Sequence, residues 1–214
     1  MKSVERNNKV LFIVNHRKDR SPGQRFRFEQ YVDYLQENGY QCYFSVLLNE
    51  NDDQIFYSKG NYFGKAIIFL KSLLIRTKDW LKMNDYDIIF VFREALMTGS
   101  TFFEKKFSKS KAKVVFDFDD AIWLETISES NKKLAFLKNA SKTEQIIRFS
   151  DLIFAGNQYL ADYAKKFNQH TVIVPTTINT DVYKNKNLNT TDKICIGWSG
   201  SFSTIEHFKT AFRP

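Results

Sequence analysis

The stretch KVVFDFDDAIW, residues 113–123, contains a short apolar run that leads directly into a group of carboxylates. Short, nearly continuous apolar runs are typical of parallel strands that are buried on both faces of a sheet. Six more runs of this kind are bounded by polar residues, at 10–14, 40–47, 88–92, 152–155, 172–174 and 194–198. We therefore predict seven buried β-strands, and the quoted stretch supplies the one at 113–116.

Segments with a helical spacing of apolar residues lie between these strands. The spacing over 28–35 predicts a helix that Gly39 ends, and further helices are predicted within 134–149 and over 160–167. Strand and helix thus alternate along the chain, which predicts an α/β fold with a Rossmann-like, doubly wound parallel sheet. Ligands of such sheets bind where strands end, so the residues that follow each strand are the candidates for function.

The composition of the 214 residues is that of a folded globular protein, with 43% hydrophobic residues, 26% charged residues and a net charge of +8. The three histidines and two cysteines are scattered, so no metal site is predicted. No motif that reads nucleic acid is present, so no nucleic-acid partner is expected. The sequence has no apolar run of the roughly 20 residues that span a bilayer and no secretory signal, which predicts a cytoplasmic protein.

Two strand-end loops contain arginine. The loop at 15–27 reads NHRKDRSPGQRFR and opens the next helix with a Pro22-Gly23 turn. Guanidinium groups and backbone N–H groups at a helix N-terminus predict an anion site, and a solvated basic loop is the alternative. Arg93 and Glu94 directly follow the strand at 88–92. They indicate either a site or a structural ion pair that caps the next helix.

The other three loops are acidic or polar. Asp117, Asp119 and Asp120 lie within four residues, and carboxylates this close repel unless cations, a metal or sugar hydroxyls offset them. One of them is instead a candidate helix cap. Asn157 follows the strand at 152–155 and is either a site residue or the N-cap of the next helix. The loop GWSGSFST at 197–204 fits sugar or phosphate binding, with a plain tight turn as the alternative.

The segment 59–82 combines six Lys or Arg residues and one Asp with many large apolar residues. A basic amphipathic helix of this kind is able to lie on an anionic membrane surface, which would make the protein peripheral to a membrane. An ordinary domain helix with its apolar face in the core is the alternative.

Taken in order, six segments resemble bacterial family 4 glycosyltransferases: RSPGQRFRFEQY, FREALMTG, KVVFDFDDAIW, SDLIFAGNQYLADYAKKF, VIVPTTINTDVY and IGWSGSFSTIEHF. The resemblance covers nearly all of 9–208. It implies the GT-B fold, in which two Rossmann-like domains face each other across a cleft. It also implies a retaining, nucleotide-sugar-dependent transferase of surface polysaccharide or glycan synthesis, with a glycan or lipid-linked acceptor and neither a cofactor nor a metal.

The resemblance also assigns roles to residues. Arg25, Asp119 and Asp120 are the catalytic candidates, with Arg25 and Arg27 near the diphosphate of the donor. The residues expected to contact substrate are Pro22, Gly23, Arg27, Arg93, Glu94, Asp117, Asn157, Trp198, Ser199, Gly200 and Ser201.

The expected domain organisation is an acceptor-side domain at 1–175, a polar linker at 176–192 and the start of a donor-binding domain at 193–214. The glutamate pair and the basic residues of the family's donor site do not occur, so the sequence is interpreted as an N-terminal part of the enzyme, inactive or nearly so by itself. One alternative is a non-catalytic acceptor-binding or scaffold subunit that needs a separate donor-domain protein. A second is a haloacid-dehalogenase-like phosphatase, because DFDDA after a strand resembles the D-x-D signature of that family.

Overall fold

The computed structural model describes residues 8–124, 139 and 141–184. Within these residues, six strands form a single sheet in which every neighbouring pair is parallel. The strands are β1 (Asn8–His16), β2 (Tyr40–Leu48), β3 (Ile88–Phe92), β4 (Lys113–Phe118), β5 (Leu152–Ala155) and β6 (Thr171–Ile173). Their order across the sheet is β2-β1-β3-β4-β5-β6. The chain therefore leaves β1 toward one edge and returns to build the rest of the sheet on the other side.

Helices connect the strands. They are α1 (Pro22–Arg27), α2 (Val32–Glu37), α3 (Glu50–Tyr57), α4 (Tyr62–Leu81), α5 (Phe102–Phe107), α6 (Lys142–Phe149) and α7 (Gln158–Lys165), with 3₁₀ turns at Glu29–Tyr31 and Met83–Asp85. No helix among the described residues has both the length and the apolar character needed to cross a membrane.

Two apolar cores cover the two faces of the sheet. Leu11 and Ile13 belong to the larger core, which receives buried side chains from α4, α5, α6 and α7. Phe12 points to the opposite face and packs with Phe28 and Phe90 in the smaller core. Successive residues of a strand point to opposite faces, so a strand that is apolar at every position serves both cores. The predicted Rossmann-like, doubly wound parallel sheet is confirmed.

The predicted strands at 88–92 and 152–155 have the observed bounds, whereas the predicted helix at 28–35 is a 3₁₀ turn at Glu29–Tyr31 followed by α2 from Val32. Phe28 leaves the helical conformation, with φ −144° and ψ −30°, between α1 and the 3₁₀ turn. Successive residues of a regular helix point 100° apart. The break allows the neighbouring side chains of Arg27 and Phe28 both to be buried. Gly39 follows α2 with a positive φ of 84°, as a helix-ending glycine should.

The prediction that every strand is buried on both faces is wrong for the two edge strands, β2 and β6. The side chains of Tyr43 and Phe44 in β2 and of Val172 and Ile173 in β6 are exposed. The predicted strand at 194–198, the helical positions at 134 and 137, and the predicted domain at 193–214 lie outside the described residues. The predicted domain bounds stay predictions.

A buried arginine ties one helix to the ends of several strands. Arg76 of α4 is fully buried. Its guanidinium donates to Val14 O at 2.8 Å and Ser45 O at 3.1 Å, and also to Ala95 O. The first two carbonyls lie near the carboxyl ends of β1 and β2, and the third lies in the loop after β3. One side chain therefore fixes α4 against three connections at the same edge of the sheet.

Candidate functional site

Four strand-end loops meet at the carboxyl edge of the sheet. A methyl group built on Gly23, after β1, would lie 3.1 Å from both Asp119 Oδ2 and Phe92 Cζ. A methyl group built on Gly156, after β5, would lie 3.1 Å from Asp119 Cα. The loop after β4 is therefore held closely between its neighbours. The reversal of strand order lies between β1 and β3, which is where ligands bind in sheets of this kind.

Arg93 offsets the crowded carboxylates of this edge. It follows β3 with a positive φ of 62°, and its guanidinium bonds Asp119 Oδ1 through Nε at 3.0 Å and Nη2 at 2.8 Å. Nη2 also bonds Asp120. Burial disfavours the guanidinium charge, but the two carboxylates outweigh burial and hold the pKa of Arg93 above its ordinary value. The guanidinium remains about one-third exposed, at 35%, and is accessible to a ligand.

Arg93 and Glu94 do not pair with each other. Glu94 instead accepts a bond from Lys142 Nζ of α6 at 2.6 Å. The same ammonium group donates to the carbonyls of Leu96 and Thr98, so it holds the loop after β3 against α6. The alternative in which these two residues form an ion pair that caps the next helix is wrong, because each bridges to a different element.

Arg27 and Asp117 form a buried ion pair below the edge. Both side chains are 0% exposed, and Arg27 Nε bonds Asp117 Oδ2 at 3.1 Å while Nη2 bonds Oδ1. Asp117 lies within β4, which is longer than the predicted strand. Burial raises the pKa of Asp117 to about 6 against the opposing effect of Arg27. The expectation that Arg27 and Asp117 contact substrate therefore does not match their placement: both side chains are enclosed within the fold.

The loop after β1 is fixed by a buried glutamine. Gln24 accepts a bond from His16 N at 3.0 Å and donates to His16 O at 2.9 Å, and Glu29 accepts from Asp19 N. The Arg25 guanidinium donates to Asp19 O and lies 3.5 Å from the Asp19 carboxylate. Arg25 is about one-third exposed, so the loop presents a cation on an ordered backbone. Pro22 opens α1 and is exposed.

A second polar cluster, which the sequence did not predict, lies beside this loop. We call it the His16 cluster: His16, Asp53 and Tyr57, with Arg17 and Arg20. His16 Nδ1 lies 3.7 Å from Asp53 Oδ1, and the Tyr57 hydroxyl lies 3.3 Å from His16 Nε2. Arg17 and Arg20 both bond Asp53 Oδ2.

The charges of the His16 cluster follow from burial and from the arginines. Burial lowers the pKa of His16 against the opposing effect of Asp53, which favours a neutral imidazole at neutral pH. Burial opposes ionisation of Asp53, but its bonds with Arg20 and Arg17 outweigh burial and hold the pKa of Asp53 below its ordinary value. The signal available in the sequence was the position of His16 after a predicted strand. Asp53 and Tyr57 belong to α3, where nothing in the sequence marks them.

Several buried polar atoms at this edge have no hydrogen-bond partner in the described part of the chain. They are Asn15 Oδ1, His16 Nδ1, Arg25 Nε and Asp53 Oδ1. Buried polar groups are nearly always bonded, and exceptions call for an explanation such as a ligand or an ordered water. The edge combines exposed guanidinium groups with carboxylate and imidazole acceptors. It is therefore suited to a polar, partly anionic ligand.

The remaining predicted residues divide into two groups. Asn157 is the N-cap of α7, and its Oδ1 accepts from Leu160 N at 3.0 Å. Its predicted contact with substrate stays a prediction. Trp198, Ser199, Gly200 and Ser201 lie outside the described residues. Within 8–124, 139 and 141–184, no group of three His, Cys, Asp or Glu side chains is arranged to hold a metal ion.

Comparisons with known proteins give a weak similarity to solved structures. No family model matches the chain, and no curated protein matches it. The fold is similar to the solved structure of an alpha-glucosyltransferase in complex with UDP-glucose and DNA containing an abasic site, with a TM-score of 0.45 and 15% sequence identity. The match covers 80% of this chain and 43% of that chain, so this chain spans less than half of that protein. A similarity of this degree says nothing about the reaction.

Proposed function

We propose that the chain forms the acceptor-side half of a retaining, nucleotide-sugar-dependent glycosyltransferase of surface polysaccharide or glycan synthesis. The observation that carries the proposal is the meeting of Arg93, Asp119 and the Gly23 loop where the strand order reverses. The ordered sequence resemblance to family 4 glycosyltransferases supports it and supplies the expected retention of configuration. A donor-binding half would come from a second domain or from a separate polypeptide.

The proposed chemistry is transfer of a sugar from a nucleoside diphosphate to an acceptor hydroxyl. The leaving diphosphate gains negative charge, which cations fixed in advance stabilise in the transition state. Arg25 and Arg93 are the partly exposed guanidinium groups proposed for this role. Asp119 and Asp120 are proposed to accept hydrogen bonds from acceptor hydroxyls. Arg27 is a positioning residue, because its side chain is enclosed against Asp117.

The burial of Asp117 also argues against the phosphatase alternative. Asp117 would be the first aspartate of the D-x-D signature of that family, and a carboxylate that acts on a phosphate substrate has to reach it. Asp117 is 0% exposed and both of its oxygens bond Arg27. Release of phosphate from p-nitrophenyl phosphate in the presence of magnesium would restore this alternative.

Substitution of Arg25 tests the proposal. In the protein assembled with its donor-binding half, Arg25→Ala should lower turnover at least tenfold, because one cation at the developing diphosphate charge is lost. Release of the nucleoside diphosphate from the nucleotide sugar, measured with a glycan acceptor, reports turnover. Arg148→Ala is the matched control, since Arg148 is an exposed arginine of α6 that pairs with Glu144.

Two outcomes would change the assignment. Equal turnover of the Arg25→Ala and Arg148→Ala variants would remove Arg25 from the site. Calorimetry with nucleotide sugars tests the assignment of this chain to the acceptor side, because submicromolar binding by the chain by itself would contradict it. A chain that binds glycan acceptors while no pairing with a donor half yields transfer would be the non-catalytic scaffold subunit instead.

A further inference from the structure

The outer side of α4 carries an exposed apolar stripe. Its members recur at intervals of three, four or seven residues, which places them along one side of the helix. Each is between 50% and 80% exposed: Phe63, Ile67, Leu70, Leu74 and Leu81. Contiguous apolar surface of this kind on a folded protein marks a binding surface.

The stripe cannot turn into the core, because the opposite side of α4 is already buried. Ile68, Ser72 and Arg76 lie half a turn away and are at most 3% exposed. Arg76 is held by three backbone carbonyls at the sheet edge. The core-helix interpretation of this segment therefore holds for its inner side, and the membrane interpretation of its outer side stays a prediction.

The charges around the stripe are positive. Lys78 and Lys82 are exposed and lie, on the helical period, next to the stripe. The single carboxylate of α4, Asp79, points inward and bonds Arg76 at 3.0 Å. Lys71, on the same flank, pairs with Asp52 of the neighbouring helix α3. The outer side of α4 thus presents apolar residues and lysines without a carboxylate of its own.

Aromatic residues extend this surface onto α5. The rings of Trp80 and Phe102 pack edge to face at 6.0 Å, and Phe102 is 50% exposed. Lys106 Nζ lies 4.7 Å from the centre of the Trp80 ring. Aromatic rings beside lysines suit the boundary between lipid headgroups and acyl chains, where apolar bodies are buried while charged tips stay in water.

We propose that the outer side of α4, with Trp80 and Phe102 of the adjoining surface, docks on a membrane that contains anionic lipid. The helix would lie in the plane of the interface, with the stripe among the acyl chains and the lysines at the phosphates. A second copy of the chain fits this side less well, because the single carboxylate of its α4 is bonded to Arg76 and would not pair with these lysines. This inference does not depend on the proposed transfer reaction.

Vesicle co-sedimentation of the full chain tests the docking. The chain should bind vesicles of phosphatidylcholine with about one-third phosphatidylglycerol, and bind pure phosphatidylcholine at least tenfold more weakly. Replacing Leu70 and Leu74 together by serine should weaken binding to the anionic vesicles at least tenfold. Tyr34→Ser is the control, because Tyr34 is an exposed aromatic residue of α2 with 64% of its surface accessible.

Charge variants show how much the lysines contribute to vesicle binding. Changing Lys78 and Lys82 to glutamate should reduce anionic binding, whereas Lys165→Glu on α7 should not. Circular dichroism melts of all variants should match the parent, since every changed residue is exposed. Equal binding of parent and serine variant, or equal binding to neutral and anionic vesicles, would overturn the proposal. So would a dimer, seen by light scattering, that the serine variant dissociates.

Discussion

Arg27 shows how burial decides the role of a charged residue. In the sequence it is one of several arginines in a basic loop, and the residue type alone favours contact with an anion. In the fold it turns inward to Asp117, and neither side chain reaches solvent. A buried pair of this kind costs desolvation on both sides, and the loss of one partner leaves an uncompensated charge. Arg27 therefore acts on the site by holding α1 against β4.

Removal of the Arg27 guanidinium should be strongly destabilising. We expect Arg27→Ala to lower the free energy of unfolding by about 3–5 kcal/mol, because Asp117 is left buried without its partner. Chemical denaturation with urea measures the change.

Two further variants show whether the uncompensated charge is the cause. Arg27→Met combined with Asp117→Leu should recover most of the loss, since two apolar side chains of suitable volume replace the pair. Arg148→Ala should change stability by no more than about 0.5 kcal/mol, because its partner Glu144 is partly exposed. If Arg27→Ala and Arg148→Ala lower the free energy of unfolding by the same amount, the buried ion pair does not stabilise the fold as described.

At the scale of elements, the site depends on how closely the strand-end loops approach one another. Gly156 faces the backbone of Asp119, whereas Gly23 faces the Asp119 carboxylate and the Phe92 ring. Side chains are able to rotate away from an added methyl group, but a backbone atom in a tightly packed loop is not. Both glycines therefore face Asp119, but an added methyl group should be tolerated better at Gly23 than at Gly156.

Alanine substitutions at these glycines should separate stability from function. Gly156→Ala should lower the free energy of unfolding by about 1–3 kcal/mol, as overpacking does. Gly23→Ala should cost less stability than Gly156→Ala and, in the proposed assembled transferase, still reduce turnover, because it displaces Asp119. Thermal melts and the diphosphate-release assay measure the two effects. A larger loss of stability for Gly23→Ala would show that the loop after β1 is the stiffer one.

Apolar runs predicted the six described strands, and their alternation with helices predicted parallel pairing. Burial on both faces explains the continuous apolar character of the central strands but not that of the edge strands β2 and β6. Strand ends also located Arg93 and Asp119. Two features could not be predicted. The break at Phe28 depends on tertiary packing of that ring, and the His16 cluster depends on α3 folding back over the end of β1. Local sequence does not encode such distant contacts.

At the scale of the whole molecule, stability should depend on pH through His16 and Asp117, whose shifted pKa values change the free energy of unfolding in opposite directions. His16 has a lowered pKa, so the unfolded chain takes up a proton first below about 6.5 and the fold loses stability as pH falls. Asp117 has a pKa raised from 3.8 to about 6, so the fold takes up its proton first and gains stability between about pH 6 and 4. The measured dependence of the free energy of unfolding on pH is the sum of these two contributions.

A His16→Gln variant isolates the histidine contribution. The free energy of unfolding of the parent minus that of the variant should fall as pH goes from 7 to 5, by at most about 1.4 kcal/mol per pH unit. The Asp117 contribution is common to both proteins and cancels. His170→Gln, an exposed histidine, serves as the control. A difference that stays constant with pH would show that His16 titrates alike in the folded and unfolded chain.

The three hydrogen bonds from Arg76 to backbone carbonyls have a geometric consequence. This side chain joins the inner side of α4 to the ends of β1 and β2 and to the loop after β3, while the apolar stripe faces away. If the stripe rests on lipid, a single helix about 10 Å thick separates the bilayer from those strand ends. Helix α4 would then act as a rigid spacer that sets the height of the proposed transfer site above the headgroups, and would so select acceptors whose reactive hydroxyl reaches that level.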